Sequence, residues 1–171
     1  PSIFDSYVNG LKTEKPFIDV SKVDIYSLPI YEAKANGETW YYHDVNSEAY
    51  IAESTNNFSS ANIIVPLSID NYSVVGIAPF AFSDNRKKVN TVILQNSIKT
   101  IEKASFTYNT NLLSVAIPNS VTNIGPNIFS GSMNLQYLYI EEGCRFTDEW
   151  FYDVYHGGGC LTPNCKIIRT K

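Results

Sequence analysis

The residues whose type and spacing could do chemistry lie near the end of the chain. Cys144, His156, Cys160 and Cys165 form a candidate soft-metal set, because three cysteines and one histidine are a ligand set of structural zinc sites. The set lacks the closely spaced Cys-x-x-Cys pair, so a disulfide is the favoured interpretation. Cys160 to Cys165 is the shortest closure, although Cys144 could pair with either of them, and one thiol is left over. We therefore predict no metal site and no cofactor.

Nothing else in the chain has the pattern of an active site. The two histidines, His43 and His156, stand outside any nucleophile motif, and there is no Gly-x-Ser-x-Gly sequence. The run Gly157-Gly158-Gly159 lacks the Lys and the Ser or Thr of a phosphate-binding loop, so it is interpreted as the stop of a helix. These observations predict a protein that is not an enzyme.

Charge and hydropathy argue against two further classes of partner. The chain has 13 basic and 17 acidic side chains, a net charge of −4, and no basic run beyond Arg86-Lys87-Lys88. It therefore lacks a stripe for nucleic-acid phosphates. No stretch approaches the 18 or more apolar residues of a membrane span. Because the chain begins at Pro1 and not at Met, we expect a processed or trimmed form.

The elements that position these residues come from a repeat in the middle of the chain. Two series of apolar residues recur every 23 or 24 positions. A fixed period of this length indicates a solenoid, whose units bury their apolar faces against each other. We predict a β-rich solenoid of about three to four 23-residue repeats, with the two series forming ladders through the core. The series are Ile77, Ile101 and Ile124, and Phe82, Phe106 and Phe129.

A polar position recurs with the same period. It is occupied by Asn85, Asn109 and Ser132, which lie at equivalent turns. Short polar side chains at turns commonly bond to nearby backbone groups. We expect these three to satisfy backbone groups locally and not to contact a ligand.

One repeat resembles that of a known family. The sequence IPNSVTNIG at residues 117–125, followed by Phe129 and by Asn134-Leu135, is similar to the repeat of the BspA-type leucine-rich-repeat proteins. Residues 64–75 resemble the longer first repeat of such domains, and the resemblance covers roughly residues 38–141. It implies a non-catalytic interaction domain that is extracytoplasmic, at a bacterial cell surface or secreted. In such a location the cysteines could oxidise, whereas in the cytosol they would be reduced and buried.

The N-terminal part of the chain precedes the repeats. Residues 1–37 are interpreted as an extension or linker that starts with a short helix near residues 2–10. Alternation on either side of Asn46-Ser47 predicts a hairpin with strands at 39–44 and 48–52. We expect this hairpin, within residues 38–53, to cap the exposed sheet edge of the array.

The C-terminal part is predicted to close the other end. Thr147 followed by two acidic residues is typical of a helix N-cap, and Trp150, Phe151, Val154 and Tyr155 then fall on one side of the helix. Residues 166–170 could add one more strand. The repeat domain, residues 38–171, therefore divides into a hairpin cap (38–53), repeats (about 61–141) and a C-terminal helical cap (142–171).

The alternation of side chains along each repeat strand places a second set of residues on the outer face. Stacked strands turn equivalent positions into rows, so we predict a binding surface on this sheet face. It has little charge and two neighbouring tyrosines of the kind enriched in interaction hot spots. One row is Ile64, Ile93, Ala116 and Tyr139; the other is Asn62, Thr91, Ser114 and Tyr137, with Gln95 and Glu141 at the rim.

Two functions remain open for this surface. The first is a cell-surface interaction or adhesion module, whose partner is a protein, of a host or of the extracellular matrix, or a glycan that stacks on the tyrosines. The second is a structural spacer or stalk domain of a larger assembly, without a ligand of its own. In the second case residues 1–37 could fold across the sheet face and cover it. Solvent access along the row of Ile64, Ile93 and Tyr139 therefore discriminates between the two.

Overall fold

The computed structural model of the chain describes residues 15–53, 58–84 and 88–171. Within these ranges the strands form two sheets, and successive repeats add strands alternately to one sheet and to the other. Apolar side chains from both sheets meet in one main core. The predicted β-rich solenoid is therefore confirmed. The helix expected near residues 2–10 and the turn residue Asn85 lie outside the described residues.

The secondary structure consists mostly of short strands. A 3-10 helix spans Ile25–Ser27 and one α-helix, α1, spans Asp148–Tyr152 within the described residues. The strands are β1 (Tyr31–Ala35), β2 (Glu38–Val45), β3 (Glu48–Ile51), β4 (Asn62–Ile64), β5 (Ser68–Ile69), β6 (Tyr72–Ile77), β7 (Thr91–Ile93), β8 (Thr100–Ile101), β9 (Ser114–Ile117), β10 (Asn123–Ile124), β11 (Tyr137–Glu141) and β12 (Lys166–Thr170).

The two sheets differ in how their strands pair. The front sheet has the order β12-β11-β9-β7-β4, and all of these pairings are parallel. The back sheet has the order β1-β2-β3-β6-β8-β10, with β5 beside β6. The pairings β3–β6, β6–β8 and β8–β10 are parallel. The pairings β1–β2 and β2–β3 are antiparallel. The front sheet thus carries the rows that the sequence predicted on the outer face.

The predicted hairpin is present as β2 and β3. Asn46 and Ser47 connect them with φ angles of 54° and 65°, and two residues with positive φ are what a type I′ turn needs. A further strand, β1, pairs with β2. The turn that connects them consists of Asn36 and Gly37, whose φ angles are 55° and 76°. The Asn-Gly dipeptide is a strong hairpin signal. Residues 31–35 are therefore part of the back sheet, although their composition suggested a linker.

An aromatic ladder runs through the core along the stack of repeats. Phe82, Phe106 and Phe129 are fully buried, with ring centroids 5.3 and 5.6 Å apart along the series, as the period predicted. Phe58 continues the ladder 6.3 Å from Phe82, and Trp40 follows 4.9 Å from Phe58. Trp40 lies on β2, so the hairpin buries this end of the ladder. The function of the hairpin as a cap stays a prediction.

The isoleucine ladder is only partly as predicted. Ile77 and Ile101 are fully buried, whereas Ile124 is half-buried. Ile124 lies on β10, the last strand of the back sheet in the described ranges, so no further strand covers its outer side. Arg145 lies at this edge and its Nε donates a 2.8 Å hydrogen bond to the carbonyl oxygen of Thr122.

The recurring polar position links one repeat to the next. Asn109 Nδ2 donates a 3.1 Å hydrogen bond to the carbonyl oxygen of Phe82, and Ser132 Oγ donates to that of Phe106. Both side chains are buried. They satisfy backbone groups, as expected, but the acceptors belong to the preceding repeat, so the bonds are not local.

The C-terminal helix is shorter than its sequence predicted. Thr147 is its N-cap, and Thr147 Oγ1 accepts a 3.2 Å hydrogen bond from the Trp150 backbone N–H. The helix ends at Tyr152 because Asp153 is extended and its carboxylate accepts from the backbone N–H groups of Tyr155 and His156. Val154 and Tyr155 are consequently exposed, not packed on a helix face. The final strand, β12, is confirmed beside β11.

Two of the three glycines after the helix, Gly158 and Gly159, have a role other than stopping it. A Cβ atom on Gly158 would lie 2.3 Å from the Trp150 carbonyl oxygen, and one on Gly159 would lie 2.9 Å from that of Phe151. The Gly159 backbone N–H donates a 2.9 Å hydrogen bond to the Trp150 carbonyl oxygen. The glycines therefore let the returning chain pack directly against the end of α1.

Candidate binding surface on the front sheet

The strand register brings the predicted outward residues together in two rows. Each residue lies beside its equivalent on the neighbouring strand, and β12 lengthens both rows by one position. The inward positions between them are fully buried, as in Val92, Val115 and Leu138. The apolar row is Ile64, Ile93, Ala116, Tyr139 and Ile168; the polar row is Asn62, Thr91, Ser114, Tyr137 and Lys166.

The apolar row is accessible at several points along the stack. The exposed fractions are 48% for Ile64, 38% for Ile93 and 36% for Ile168, whereas Ala116 and Tyr139 are half-buried. Tyr137 is 40% exposed in the adjacent row. An apolar series on neighbouring strands that is open to solvent forms a contiguous patch. Such a patch is better evidence of an interaction site than scattered exposed apolar residues are.

The two tyrosines pack together on β11, the strand next to the edge strand β12. The ring centroids of Tyr137 and Tyr139 are 6.1 Å apart, with an angle of 30° between the ring planes. This separation lies within the range in which aromatic side chains attract each other. Because both rings belong to β11, they hold a fixed spacing and present a large contact area that loses little conformational entropy on binding.

Some of the polar members are already used within the array. Thr91 Oγ1 and Ser114 Oγ are 3.1 Å apart and share a hydrogen bond. Gln95 Nε2 donates a 2.8 Å bond to the carbonyl oxygen of Val65, so this rim residue also ties two repeats together. Glu141 at the rim and Lys166 in the polar row add the charges, both at the β11–β12 end. The centre of the face is therefore neutral.

The N-terminal segment packs elsewhere. Ile18 and Asn46 exchange two hydrogen bonds, of 2.8 and 2.9 Å, between the Ile18 backbone and the Asn46 side chain. Ile25 is buried with Val45 and Ala78, which lie on and just after strands of the back sheet. In the described part of the chain, the segment thus lies against the back sheet and does not cover the front rows.

A buried histidine lies under this segment. His43 on β2 is 1% exposed, and its Nδ1 is 3.0 Å from the carbonyl oxygen of Pro29, which requires the proton on Nδ1. Burial lowers the pKa of His43 below its usual value, and the carbonyl groups and Asp24 oppose that shift. His43 therefore has a structural environment and no access to a substrate.

The cysteines are free thiols in the structure. Cys160 Sγ donates a 3.1 Å hydrogen bond to Asn127 Oδ1, whereas Cys165 is buried. The Cys160–Cys165 disulfide favoured by the spacing is absent, because the first thiol faces the turn of a preceding repeat and the second lies in the core. Burial raises the pKa of both thiols, that of Cys165 to about 11.

The candidate zinc set is not brought together either. His156 Nδ1 lies 3.1 Å from Asp153 Oδ1 on the exposed loop after α1, and Cys144 is buried in the main core. In residues 15–53, 58–84 and 88–171, no group of three His, Cys, Asp or Glu side chains is arranged to hold a metal ion. Over the same ranges, no helix is long and apolar enough to cross a membrane.

Comparison with known proteins gives one match. A family model described as the BspA type leucine-rich repeat region matches residues 48–156 with six copies of the repeat, which is more than half of the chain. The six copies exceed the three to four that the visible period indicated, since the match begins at the hairpin and extends into the C-terminal segment. No curated protein and no solved structure gives a significant match.

Proposed function

Because this chain belongs to the BspA-type leucine-rich repeat family, we propose that it is a non-catalytic protein-interaction or adhesion module that binds through its front sheet. The observation that carries the proposal is the solvent-accessible apolar row from Ile64 to Ile168, in which the ring of Tyr139 lies beside that of Tyr137 in the adjacent row. A repeat array offers its partner an extended surface of this kind.

The chemistry of the face favours a partner with a largely neutral contact surface. Thr91 and Ser114 bond to each other, so one of their two hydroxyl hydrogens keeps a partner when water is excluded. Apolar and aromatic groups then supply the contact energy, and the two tyrosines are the expected hot spot. Salt weakens interactions between exposed charges. Because the centre of the face is neutral, the affinity should depend only weakly on salt concentration.

The family match supports the proposed location and class of partner. The proposal is an extracytoplasmic protein, at a bacterial cell surface or secreted, whose partner is a protein of a host or of the extracellular matrix. A glycan is a narrower candidate for the same face, because exposed tyrosine rings can stack on sugars. Lys166 and Glu141 at one end of the face would set the orientation of either partner.

A second candidate is a spacer domain that positions other parts of a surface assembly. The hydrogen bond from Gln95 to Val65 and the one between Thr91 and Ser114 favour it, because these polar groups of the face already stabilise the array. On this alternative the front sheet has no ligand and its tyrosines contribute only to stability.

The double variant Tyr137→Ser/Tyr139→Ser separates the two. Binding of the purified protein to immobilised matrix proteins and to a glycan array should weaken by about tenfold or more, because truncating a hot spot removes most of its contact energy. The matched control is Tyr155→Ser, since Tyr155 is exposed but lies outside the front sheet. Thermal unfolding of both variants checks that they stay folded. Equal binding by the wild type and the double variant would contradict the front sheet as the binding surface, whereas no binding to either panel would support the spacer.

A further inference from the structure

A groove with a volume of about 770 Å³ lies on another side of the solenoid, along the turns that follow the back strands. Its walls include Phe80, Tyr108, Val154, Leu161 and Pro163. Sites of a few hundred to about a thousand Å³, mostly apolar with a few placed polar groups, are typical of small-molecule binding. The groove shares no residue with the front rows.

Three equivalent turn positions that line the groove carry side chains of different size. Phe80, Ala104 and Asn127 are spaced by one repeat, and all have positive φ angles of 56–63°. The backbone therefore follows the same path in each turn, but the large Phe80 ring is followed by the small side chain of Ala104. The smaller side chain of Ala104 therefore leaves more room in the groove at its position than Phe80 does.

Tyr108 forms an aromatic platform in this groove. A Cβ atom on Gly131 would lie 2.3 Å from Tyr108 Cδ1 and 2.5 Å from Cε1, so the ring can lie where it does only because residue 131 is a glycine. Tyr108 remains 66% exposed. One side of the ring is thus held against the next repeat, and the rest is available to a ligand.

Two hydroxyl groups of the groove, those of Ser83 and Thr107, are arranged as acceptors. Ser83 Oγ donates to the carbonyl oxygen of Phe80 at 2.9 Å, and Thr107 Oγ1 donates to that of Ala104 at 3.0 Å. Each hydroxyl has one hydrogen and two lone pairs. Since the hydrogens are already used, these oxygens can only accept from a ligand.

Thr162 is the group that lacks a partner. Its Oγ1 is buried and makes no hydrogen bond, although it lines the groove. A buried hydroxyl without a partner is unfavourable, so a rotation of the Thr162 side chain that turns Oγ1 towards a ligand in the groove would give it the hydrogen bond that it lacks. Cys160 adds no donor, since its thiol already bonds to Asn127 Oδ1.

We propose that this groove is a binding site for a neutral sugar ring. A pyranose has an apolar face that can stack on Tyr108 and hydroxyl groups that can donate to Ser83 and Thr107 and pair with Thr162. Among its described lining residues the groove has no Lys, Arg or His, so nothing there favours a phosphate or another anion. The site is separate from the front sheet and does not depend on the function proposed for it.

The test is a titration of the ¹⁵N-labelled protein with methyl glycosides of glucose, galactose, mannose and N-acetylglucosamine, followed by NMR. We expect saturable shifts at groove residues with at least one glycoside. Tyr108→Ala should weaken that binding by about tenfold. Thr162→Val should weaken it severalfold, and it should not unfold the protein, because it removes an unpaired hydroxyl at almost constant shape.

Two controls make the outcome decisive. Cyclohexanol has a ring of similar size with a single hydroxyl, and it should not bind at the concentrations used for the glycosides. The front-sheet variant Tyr137→Ser/Tyr139→Ser should bind the glycoside as the wild type does. The proposal is overturned if no glycoside binds, if cyclohexanol binds equally well, or if the front-sheet variant loses the sugar while Tyr108→Ala keeps it.

Discussion

The side-chain amide of Asn109 donates a 3.1 Å hydrogen bond to the carbonyl oxygen of Phe82, one repeat earlier in the chain. Phe82 also contributes a ring to the aromatic ladder, so the same residue is held through its backbone and through its side chain. Asn109 is fully buried. In a stack of repeats, interfaces between neighbours supply much of the stability, and this bond belongs to one of them.

Asn109→Leu should destabilise the protein by about 1–3 kcal/mol, because the carbonyl oxygen of Phe82 would be left buried without a partner. Urea denaturation measures the change. Asn134→Leu is the matched control: Asn134 Nδ2 also bonds to a backbone carbonyl, that of Thr110 at 2.8 Å, but Asn134 is exposed. Water can replace that bond, so the free energy of unfolding should fall much less in the control. Equal losses in both variants would contradict the assigned role of Asn109.

The repeat period predicted the core and the front rows well, because both depend on which residues are equivalent. Once Ile77 and Ile101 are aligned, the strands between them must stack in register, and side-chain alternation then decides which residues face out. The same reasoning could not predict the partners of Asn109 and Ser132. Their bonds run between repeats, and their direction depends on how the turns are stacked in three dimensions.

Other features were missed for local reasons. The Asn36-Gly37 turn was detectable as a hairpin signal, but the mixed composition of residues 16–37 obscured β1. The early end of α1 depends on Asp153, whose carboxylate accepts two backbone N–H bonds and so offers the chain an alternative to the helix. The groove has more room at Ala104 than at Phe80, a contrast that an alignment of apolar positions does not reveal.

Phe106→Ala should cost about 3–5 kcal/mol of unfolding free energy, because Phe106 is fully buried between Phe82 and Phe129 and the cavity would separate the two halves of the ladder. Phe80→Ala is the control, since Phe80 is partly exposed and lies outside the ladder. Urea denaturation of the two variants compares them directly. A loss below about 1 kcal/mol for Phe106→Ala would show that the ladder does not support the core.

Gly125→Ala should destabilise the array although Gly125 does not have a positive φ angle. An added Cβ would lie 2.5 Å from the backbone nitrogen of Lys103 in the preceding repeat, and a backbone atom cannot move aside as a flexible side chain can. We expect a loss of about 1–3 kcal/mol from overpacking. The control is Gly37→Ala, where no atom lies within 4 Å and only the cost of a positive φ applies. Thermal unfolding that is unchanged in Gly125→Ala would contradict the close packing of these repeats.

Thiol titration before and after unfolding should reveal three reduced cysteines, of which only Cys160 reacts in the folded protein. Cys160 is partly exposed and should react slowly with a thiol reagent, because burial raises its pKa and lowers its thiolate fraction. Cys144 and Cys165 are buried and should react only after unfolding. The Cys160→Ser variant tests the assignment, since it should abolish the native reaction. Mass spectrometry that finds a Cys160–Cys165 disulfide in the folded protein would contradict the structure.

Stability should fall as the pH is lowered from 7.5 to 5, owing to His43. Burial holds the pKa of His43 in the folded state below the usual value of 6.5, whereas the unfolded chain has the usual value. As the pH falls, the unfolded state therefore takes up a proton on His43 before the folded state does. The free energy of unfolding decreases progressively below about pH 6.5. His43→Phe should reduce this pH dependence, and His156→Gln, at an exposed loop position, should not. Urea denaturation at a series of pH values measures the free energy of unfolding. If it depends on pH as steeply in His43→Phe as in the wild type, the pH dependence belongs to other groups.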